Sequence, residues 1–317
     1  MPSLQVQNLK KYYSPYHGKG RLDHTIRALD GISFSMAAGE IHSIVGESGS
    51  GKTTLGRIIA GLVEPTDGKV FLDGKDVFNS RKQELRELRR KVQIIFQDPY
   101  SSLNPRFNIR QIISEPLKLN RIPFNRSDLE AALMKVGLTP PDEFLERFPH
   151  ELSGGQRQRV AIARSIVIKP EFIVADEPVS MLDASMRASF LRLISGLRES
   201  EKITMLMISH DISIAYYVSD YISVLYLGKI VESGPTEDIV KNPRHPYTRA
   251  LIQAVPSLGK SENRKLDIVH TDGKPVLTYN GCRFSPRCPF STERCKEEEP
   301  KLRQIDRGHL VACHYDL

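Results

Sequence analysis

The feature that most constrains the fold is the glycine-rich segment Gly46-Glu47-Ser48-Gly49-Ser50-Gly51-Lys52-Thr53, which fits the phosphate-loop pattern G-x-x-x-x-G-K-[ST]. A short apolar run, Ile41–Val45, precedes it and predicts a buried strand, and the residues from Leu55 onward predict a helix. Glycines let backbone N–H groups close around phosphate oxygens, and the helix adds its positive N-terminal end. Strand, loop and helix in this order predict a nucleotide-binding α/β domain.

The loop residues have separate expected tasks. Lys52 places a positive charge on the β and γ phosphates, and the Thr53 hydroxyl is placed to ligate Mg²⁺. The motif alone leaves GTPases, helicases and small-molecule kinases open. The predicted nucleotide contacts are Gly46, Ser48, Gly49, Ser50, Gly51, Lys52, Thr53 and Thr54.

Two adjacent acids, Asp176 and Glu177, follow the apolar strand predicted at 172–175. An aspartate at the end of such a strand can hold the magnesium hydration shell. The next glutamate can polarise a water for in-line attack on the γ-phosphate. An acidic pair alone is a weak signal, because acids often end strands, but the phosphate loop makes a catalytic role the better interpretation.

Strand and helix signals alternate along much of the chain. A helix is predicted over 186–198 and a strand over 203–208, and strands 221–225 and 230–232 are expected to pair across a glycine turn. This alternation indicates an α/β fold with a mainly parallel core sheet. Prolines are frequent between 98 and 165, which predicts a helical insertion with many short joints.

Composition excludes some classes of protein and leaves others open. The chain of 317 residues contains no run near 18 apolar residues, so no transmembrane helix is expected, and its start lacks the pattern of a secretory signal. The formal charge of +7 is compatible with polyphosphate ligands, nucleic acid or an anionic membrane surface.

A second glycine motif indicates which class of nucleotide-binding protein this is. Leu152-Ser153-Gly154-Gly155-Gln156 stands shortly before the acidic pair and opens a helix predicted over 157–168. The hydroxyl of Ser153 and the glycine amides at a helix N-terminus form another anion cradle. Beside a phosphate loop, LSGGQ resembles the signature of the ABC transporter ATPases.

That resemblance implies roles for further residues. Gln97 resembles the Q-loop glutamine that senses Mg²⁺, Asp183 the D-loop aspartate, and His210 the histidine that contacts the γ-phosphate. Tyr13 is the best match to the adenine-stacking aromatic, with Tyr12 and Tyr16 as alternatives. Met181 stands in the D-loop where alanine is usual. The signature contacts implied for the nucleotide are Ser153, Gly154, Gly155 and Gln156.

The same resemblance implies an architecture and an active form. The expected fold is a P-loop ABC-type nucleotide-binding domain, with a RecA-like core sheet, an antiparallel β subdomain and a helical subdomain at about 98–165. The ATPase domain is placed at 1–235, and a Cys-rich C-terminal extension at 236–317. Two chains are implied to hold ATP between the phosphate loop of one and the signature of the other.

A closer resemblance covers essentially the whole chain. The stretches Phe96-Gln97-Asp98-Pro99-Tyr100-Ser101-Ser102-Leu103-Asn104-Pro105-Arg106, Phe148-Pro149-His150-Glu151 and Asn242-Pro243-Arg244-His245-Pro246-Tyr247-Thr248 are similar to the dipeptide/oligopeptide (Dpp/Opp) importer ATPases, F-type. This implies a D-type ATPase partner, two membrane permease subunits contacted around 97–125, an extracellular binding protein, and a position on the cytoplasmic face of the membrane. Peptides are the implied cargo, with oligosaccharides or nickel as alternatives.

Two other classes compete with an importer subunit. Soluble ABC ATPases of DNA repair or translation would predict a coiled-coil insertion or tandem ATPase domains, and neither pattern is present in the sequence. A scaffold with inactive motifs is disfavoured because Lys52, Asp176, Glu177 and His210 are all present.

The four cysteines, Cys282, Cys288, Cys295 and Cys313, are confined to one short region and lack a tight C-x2–4-C pair. Their spacing leaves open a four-iron cluster, zinc or a disulfide pair, and free thiols, with His309 and His314 as spare ligands. The region also resembles the C-terminal part of Dpp-type ATPases that bind [4Fe–4S], which implies that cluster, with these cysteines as its ligands.

Overall fold

The computed structural model describes residues 3–14, 25–79, 82–98, 102–180, 182–255 and 279–315. None of the helices in these ranges combines the length and apolar character that a bilayer crossing requires. The strands are β1 (Leu4–Tyr13), β2 (Ile26–Met36), β3 (Ile41–Val45), β4 (Asp67–Leu72), β5 (Lys75–Asp76), β6 (Val92–Ile95), β7 (Phe172–Asp176), β8 (Thr204–Ser209), β9 (Tyr221–Tyr226), β10 (Lys229–Pro235), β11 (Arg303–Asp306) and β12 (His309–Val311). The α-helices are α1 (Lys52–Ile59), α2 (Lys82–Lys91), α3 (Ile109–Leu119), α4 (Arg126–Lys135), α5 (Asp142–Leu145), α6 (Gly154–Ile166), α7 (Ala184–Glu201), α8 (Ile212–Val218), α9 (Thr236–Lys241), α10 (Pro246–Gln253) and α11 (Glu293–Glu297).

The larger sheet has the order β11-β12-β10-β9-β3-β8-β7-β6. Strands β6, β7, β8, β3 and β9 are parallel, so their carboxyl ends meet at one edge. β9 and β10 pair antiparallel across Leu227 and Gly228, as predicted. Every residue of β3, β7 and β8 is buried, which explains their continuous apolar sequences. The predicted parallel α/β core is confirmed.

A second sheet, antiparallel and ordered β2-β1-β4-β5, covers one face of the core. Helix α1 packs between the two sheets. One buried apolar cluster joins Leu4 and Leu29 of the small sheet, Leu55 and Ile58 of α1, and Ile208 of β8. This burial fixes α1, and therefore the phosphate loop before it, against both sheets.

Helices α3 to α6 form the helical region expected between 98 and 165. Their buried side chains join those of β7, β8 and α7 in a second apolar cluster. Side chains at the helix starts set the helix boundaries. Helix α6 begins three residues before its predicted start because Ser153 caps its N-terminus, and α7 begins two residues before its predicted start because Asp183 caps it. Pro99, Tyr100, Ser101 and Met181 lie outside the described residues.

The C-terminal residues are joined to the larger sheet. β12 pairs with β10, and the N–H of Ala312 donates to the carbonyl of Val231 at 2.8 Å. The carboxylate of Glu232, fully buried, accepts the backbone N–H groups of Arg244 and His245 at 2.7 and 2.9 Å, and His309 Nε2 lies 2.7 Å from it. These bonds satisfy a buried carboxylate and tie two C-terminal segments, residues 244–245 and β12, to β10.

Candidate functional site

The phosphate loop lies at the carboxyl edge of β3 and has a shape that side chains would disturb. A Cβ on Gly46 would stand 2.1 Å from the carbonyl oxygen of Leu225. Gly51 has φ +107°, and a Cβ there would stand 2.2 Å from the carbonyl oxygen of Ala28. Both positions therefore require glycine, which fits the expected backbone cradle for phosphate.

Lys52 begins α1 and points back over the loop. Its ammonium donates to the carbonyl oxygens of Gly46 and Glu47 at 2.7 and 2.8 Å. Burial lowers the pKa of Lys52, whereas the carboxylates of Glu177 and Asp176 oppose that shift. The side chain is held where a third hydrogen bond can reach a phosphate oxygen.

Thr53 and Asp176 form an oxygen pair beside the loop. The Thr53 hydroxyl donates to Asp176 Oδ1 at 3.1 Å, across 123 residues of sequence. Burial raises the pKa of Asp176, and the neighbouring Glu177 adds to the rise. A divalent cation would offset both effects, and Mg²⁺ prefers such hard oxygen ligands. These two residues fit the magnesium role predicted for them.

Glu177, Gln97 and His210 come together, as the ABC resemblance implied. Glu177 Oε2 accepts the Gln97 amide at 3.2 Å, and His210 Nδ1 lies 3.1 Å from the same oxygen. They follow β6, β7 and β8, whose parallel pairing places their ends side by side. The carboxylate is thus aimed at the space above Lys52 and Thr53.

These groups surround one cavity of about 520 Å³. Loop residues and the Gln97–Glu177–His210 group form part of its lining. Sequence reasoning missed the rest of the lining, because no motif marks it. That part comprises Ile26, Arg27, Ala28, Leu227 and Tyr279.

The three tyrosines proposed for adenine stacking have different surroundings. Tyr13 ends β1 with its side chain 42% exposed, outside the cavity lining, and the Lys11 ammonium lies 5.2 Å from its ring centroid. The Tyr12 hydroxyl donates to Asp30 at 2.5 Å; burial and this bond raise the pKa of Tyr12 to about 12. Tyr16 lies outside the described residues. Tyr13 as the stacking residue stays a prediction.

The signature residues lie outside the cavity lining. Ser153 caps α6: its hydroxyl accepts the Gln156 N–H at 3.3 Å, and Gln156 Oε1 accepts the Ser153 N–H at 2.9 Å. Asp183 caps α7 by accepting the Met186 N–H at 2.9 Å, and that bond lowers the Asp183 pKa. Within the described chain, Gly154 and Gly155 of α6 are likewise absent from the lining.

The C-terminal residues hold the phosphate loop from its outer side. The guanidinium of Arg287 makes two bonds to the Glu47 carboxylate, at 2.7 and 3.0 Å. The Tyr247 hydroxyl accepts the Glu47 backbone N–H at 2.8 Å. Sequence reasoning missed these contacts, because they join residues 200 or more positions apart.

The cysteines line one small cavity together, against Phe284 and Pro300. Burial raises the pKa of both Cys282 and Cys288 to about 11, and the other thiols add to the rise. Among the described residues, no three His, Cys, Asp or Glu side chains are grouped closely enough to hold a metal ion. The structure therefore does not support the metal-binding prediction by itself.

Comparison with known proteins agrees with this site. A family model described as ABC transporter matches residues 29–180, and one described as oligopeptide/dipeptide transporter, C-terminal region, matches residues 231–295.

Two solved structures are similar to this chain. The ATP-binding cassette MJ0796, a dimer in a post-hydrolysis state with ADP and Pi, has a TM-score of 0.65 and 30% identity, covering 74% of this chain and 98% of that one. CbiO1 of Clostridium perfringens has a TM-score of 0.66 and 27% identity, covering 81% and 97%. The fold and site define an ABC-type ATPase.

Full-length relatives narrow the family. A provisionally named peptide import ATP-binding protein of Brucella ovis is 44% identical, over 99% of this chain and 98% of its own. The dipeptide transport ATP-binding protein DppF of Haemophilus influenzae is 42% identical, over 99% and 97%. The oligopeptide transport ATP-binding protein AppF of Bacillus subtilis is 41% identical, over 98% and 96%. The chain belongs to the ATP-binding subunits of the dipeptide/oligopeptide ABC transporter family.

Proposed function

We propose that this chain hydrolyses Mg–ATP to power the uptake of di- and oligopeptides through two membrane permease subunits. The observation that carries the catalytic part is the convergence of Glu177, Gln97 and His210 in the cavity that the phosphate loop lines. The relatives' activities support peptides rather than oligosaccharides or nickel as cargo.

The contacts support the residue roles proposed here. Lys52 and the loop amides bind the phosphates, and Thr53 and Asp176 would hold Mg²⁺, which spreads phosphate charge when bound. Glu177 orients a water and accepts its proton as the water oxygen attacks the γ-phosphorus and the bond to the β-phosphate oxygen breaks. His210 donates toward the γ-phosphate, and Gln97 positions the Glu177 carboxylate.

We propose that the site is completed by a second ATPase chain. Ser153 and its neighbours present a helix N-terminus suited to an anion, yet they lie outside this chain's own cavity lining. The dimeric state of the MJ0796 structure supports the same arrangement.

We infer that the second ATPase chain is a D-type paralogue. We also infer that an extracellular binding protein delivers the cargo and that this chain lies on the cytoplasmic face of the membrane as a peripheral subunit.

The docking surface for the permease subunits is proposed to be the groove between β6, α3 and α6. It measures about 360 Å³ and includes Phe96 and Leu119, whose side chains are 39% and 70% exposed. The groove starts directly beside Gln97, so a docked helix could shift that residue. Under this proposal, the predicted contact region around 97–125 meets the permease subunits at a concave surface.

Leu119→Asp is expected to weaken co-purification with the permease subunits at least tenfold, because it places a charge in an apolar contact. Met134→Asp is the matched control, since Met134 is 51% exposed on α4, away from the groove. Equal recovery of the permease subunits with both variants would show that the groove is not the docking surface.

We also propose that residues 236–317 are an extension of the ATPase domain at 1–235, with a [4Fe–4S] cluster held by Cys282, Cys288, Cys295 and Cys313. The support is the donor set: all four thiols line one small cavity, together with apolar side chains such as Phe284 and Phe290 and with His245, Ser285, His314 and Tyr315. Burial raises the pKa of Cys282 and Cys288, so thiolates without a nearby positive charge are disfavoured there. Bound iron would supply that positive charge. In a four-iron cluster each thiolate binds a different iron, so the thiols need not crowd around a single ion.

Anaerobically purified protein is expected to be brown and to contain about four irons and four sulfides per chain. Cys288→Ser should lose most of the iron, whereas Ser285→Ala, beside the same cavity, should keep it. One zinc per chain, or colourless metal-free protein, would show that the cluster assignment is wrong and leave the ATPase assignment intact.

A further inference from the structure

We infer that Arg27 and Tyr279 form the contact surface for the nucleoside half of the bound nucleotide. Tyr279 belongs to the C-terminal residues rather than to any ATP-binding motif, yet it lines the same cavity as Lys52 and Thr53. The inference rests on the proposed function only in taking a nucleoside triphosphate as the ligand.

The direction of the ligand follows from the phosphate end. Lys52, Thr53 and the Glu177–His210 pair mark the part of the cavity that suits the γ-phosphate. Ala28 borders Gly51 of the loop, whereas Arg27 precedes it on β2 and is bonded to Tyr279, and both residues line the same cavity. The ribose and base would extend toward Arg27 and Tyr279, because the phosphate groups would take the space beside the loop.

Tyr279 is held in place by backbone atoms. Its hydroxyl donates to the carbonyl of Thr25 at 3.2 Å and accepts the N–H of Arg27 at 3.3 Å. Because both partners are main-chain groups beside the first residues of β2, the ring keeps a fixed position relative to the cavity wall.

The chemistry of the pair suits a planar, electron-rich base. The Arg27 guanidinium lies 4.6 Å from the centroid of the Tyr279 ring and 5.6 Å from that of the Tyr12 ring, two cation–π contacts. A guanidinium stacks on aromatic faces and on bases, and both side chains border the same space.

The C-terminal residues next to Tyr279 fix the pair to the core. Arg283, 4% exposed, makes an ion pair with Asp30 of β2 and donates to the Leu227 carbonyl. Its guanidinium also lies 5.3 Å from the Tyr279 ring centroid. The position of Tyr279 is therefore set by buried contacts, independent of any bound nucleotide.

The test compares ligands with and without a nucleoside on the full-length protein. Tyr279→Ala is expected to weaken Mg–ATP binding roughly tenfold and to leave the affinity for Mg–tripolyphosphate unchanged, as measured by titration calorimetry. Tyr217→Ala, in which an exposed tyrosine of α8 is removed, is the matched control for both ligands. Tyr279→Phe, which keeps the ring, should lose less ATP affinity than Tyr279→Ala.

Arg27→Ala supplies an independent variant and should show the same selective loss of ATP binding. Unchanged ATP affinity in both alanine variants would contradict the inference. Equal weakening of ATP and tripolyphosphate would also overturn it, by showing a general structural effect. If the wild-type protein bound neither ligand, the proposed ATPase function itself would fail, which is a distinguishable result.

Discussion

Glu177→Gln protein is expected to bind Mg–ATP with near wild-type affinity and to hydrolyse it about 10²- to 10⁴-fold more slowly. Glutamine keeps the size of the side chain and an oxygen for the bonds to Gln97 and His210, but it cannot take a proton from water. The hydrogen bonds that position Lys52 and Thr53 do not involve Glu177, so binding should persist.

Phosphate release and ATP affinity measured side by side test this expectation. Glu199→Gln, on the exposed surface of α7, provides a control with the same change in charge. Because bound ATP is proposed to hold the two ATPase chains together and hydrolysis removes it, the Glu177→Gln protein should also remain bound to its D-type partner chain with ATP in size-exclusion chromatography. ATP hydrolysis by the Glu177→Gln protein at the wild-type rate would show that Glu177 does not accept the proton of the attacking water.

Gly51→Ala is expected to reduce ATP affinity by roughly a hundredfold or more. The new methyl would stand 2.2 Å from the Ala28 carbonyl oxygen at a φ of +107°. That oxygen belongs to the backbone of β2 and cannot move aside as a side chain could. Displacing the loop would remove at least two charge-assisted hydrogen bonds to phosphate, each worth about 1.5–3 kcal/mol.

Titration with ATP measures this loss, and Gly196→Ala is its matched control. Gly196 lies inside α7 with nothing within 4 Å of its added Cβ, so alanine there should stabilise the fold by about 0.5–1 kcal/mol and leave ATP affinity unchanged. Wild-type affinity in the Gly51→Ala protein would show that the loop does not depend on this backbone shape.

The sequence predicts the reaction end of the site well, for a physical reason. Lys52, Glu177 and His210 each follow a buried strand, and parallel strands bring such positions to one edge. Residues at the ends of neighbouring strands are therefore close in space, and these three line one cavity.

The contacts that Tyr279 and Arg287 make with the N-terminal part of the chain could not be predicted, because no motif or repeating pattern marks them. Tyr279 meets Thr25 across 254 residues, and Arg287 meets Glu47 across 240. A shift to polar, proline-bearing composition after residue 236 also gave no sign that β11 and β12 extend the core sheet. β12 pairs with β10 through backbone hydrogen bonds, and its His309 lies 2.7 Å from the buried Glu232, 77 positions earlier in the sequence.

The most direct measurement of the central claim is the uptake of a labelled dipeptide by sealed vesicles. The vesicles hold the permease subunits and both ATPase chains, with Mg–ATP enclosed and the binding protein outside. We predict peptide accumulation that depends on enclosed ATP and is lost when Glu177→Gln protein replaces the wild type. Accumulation that persists with the Glu177→Gln protein, or ATP hydrolysis by the wild-type assembly without peptide entering, would contradict the account.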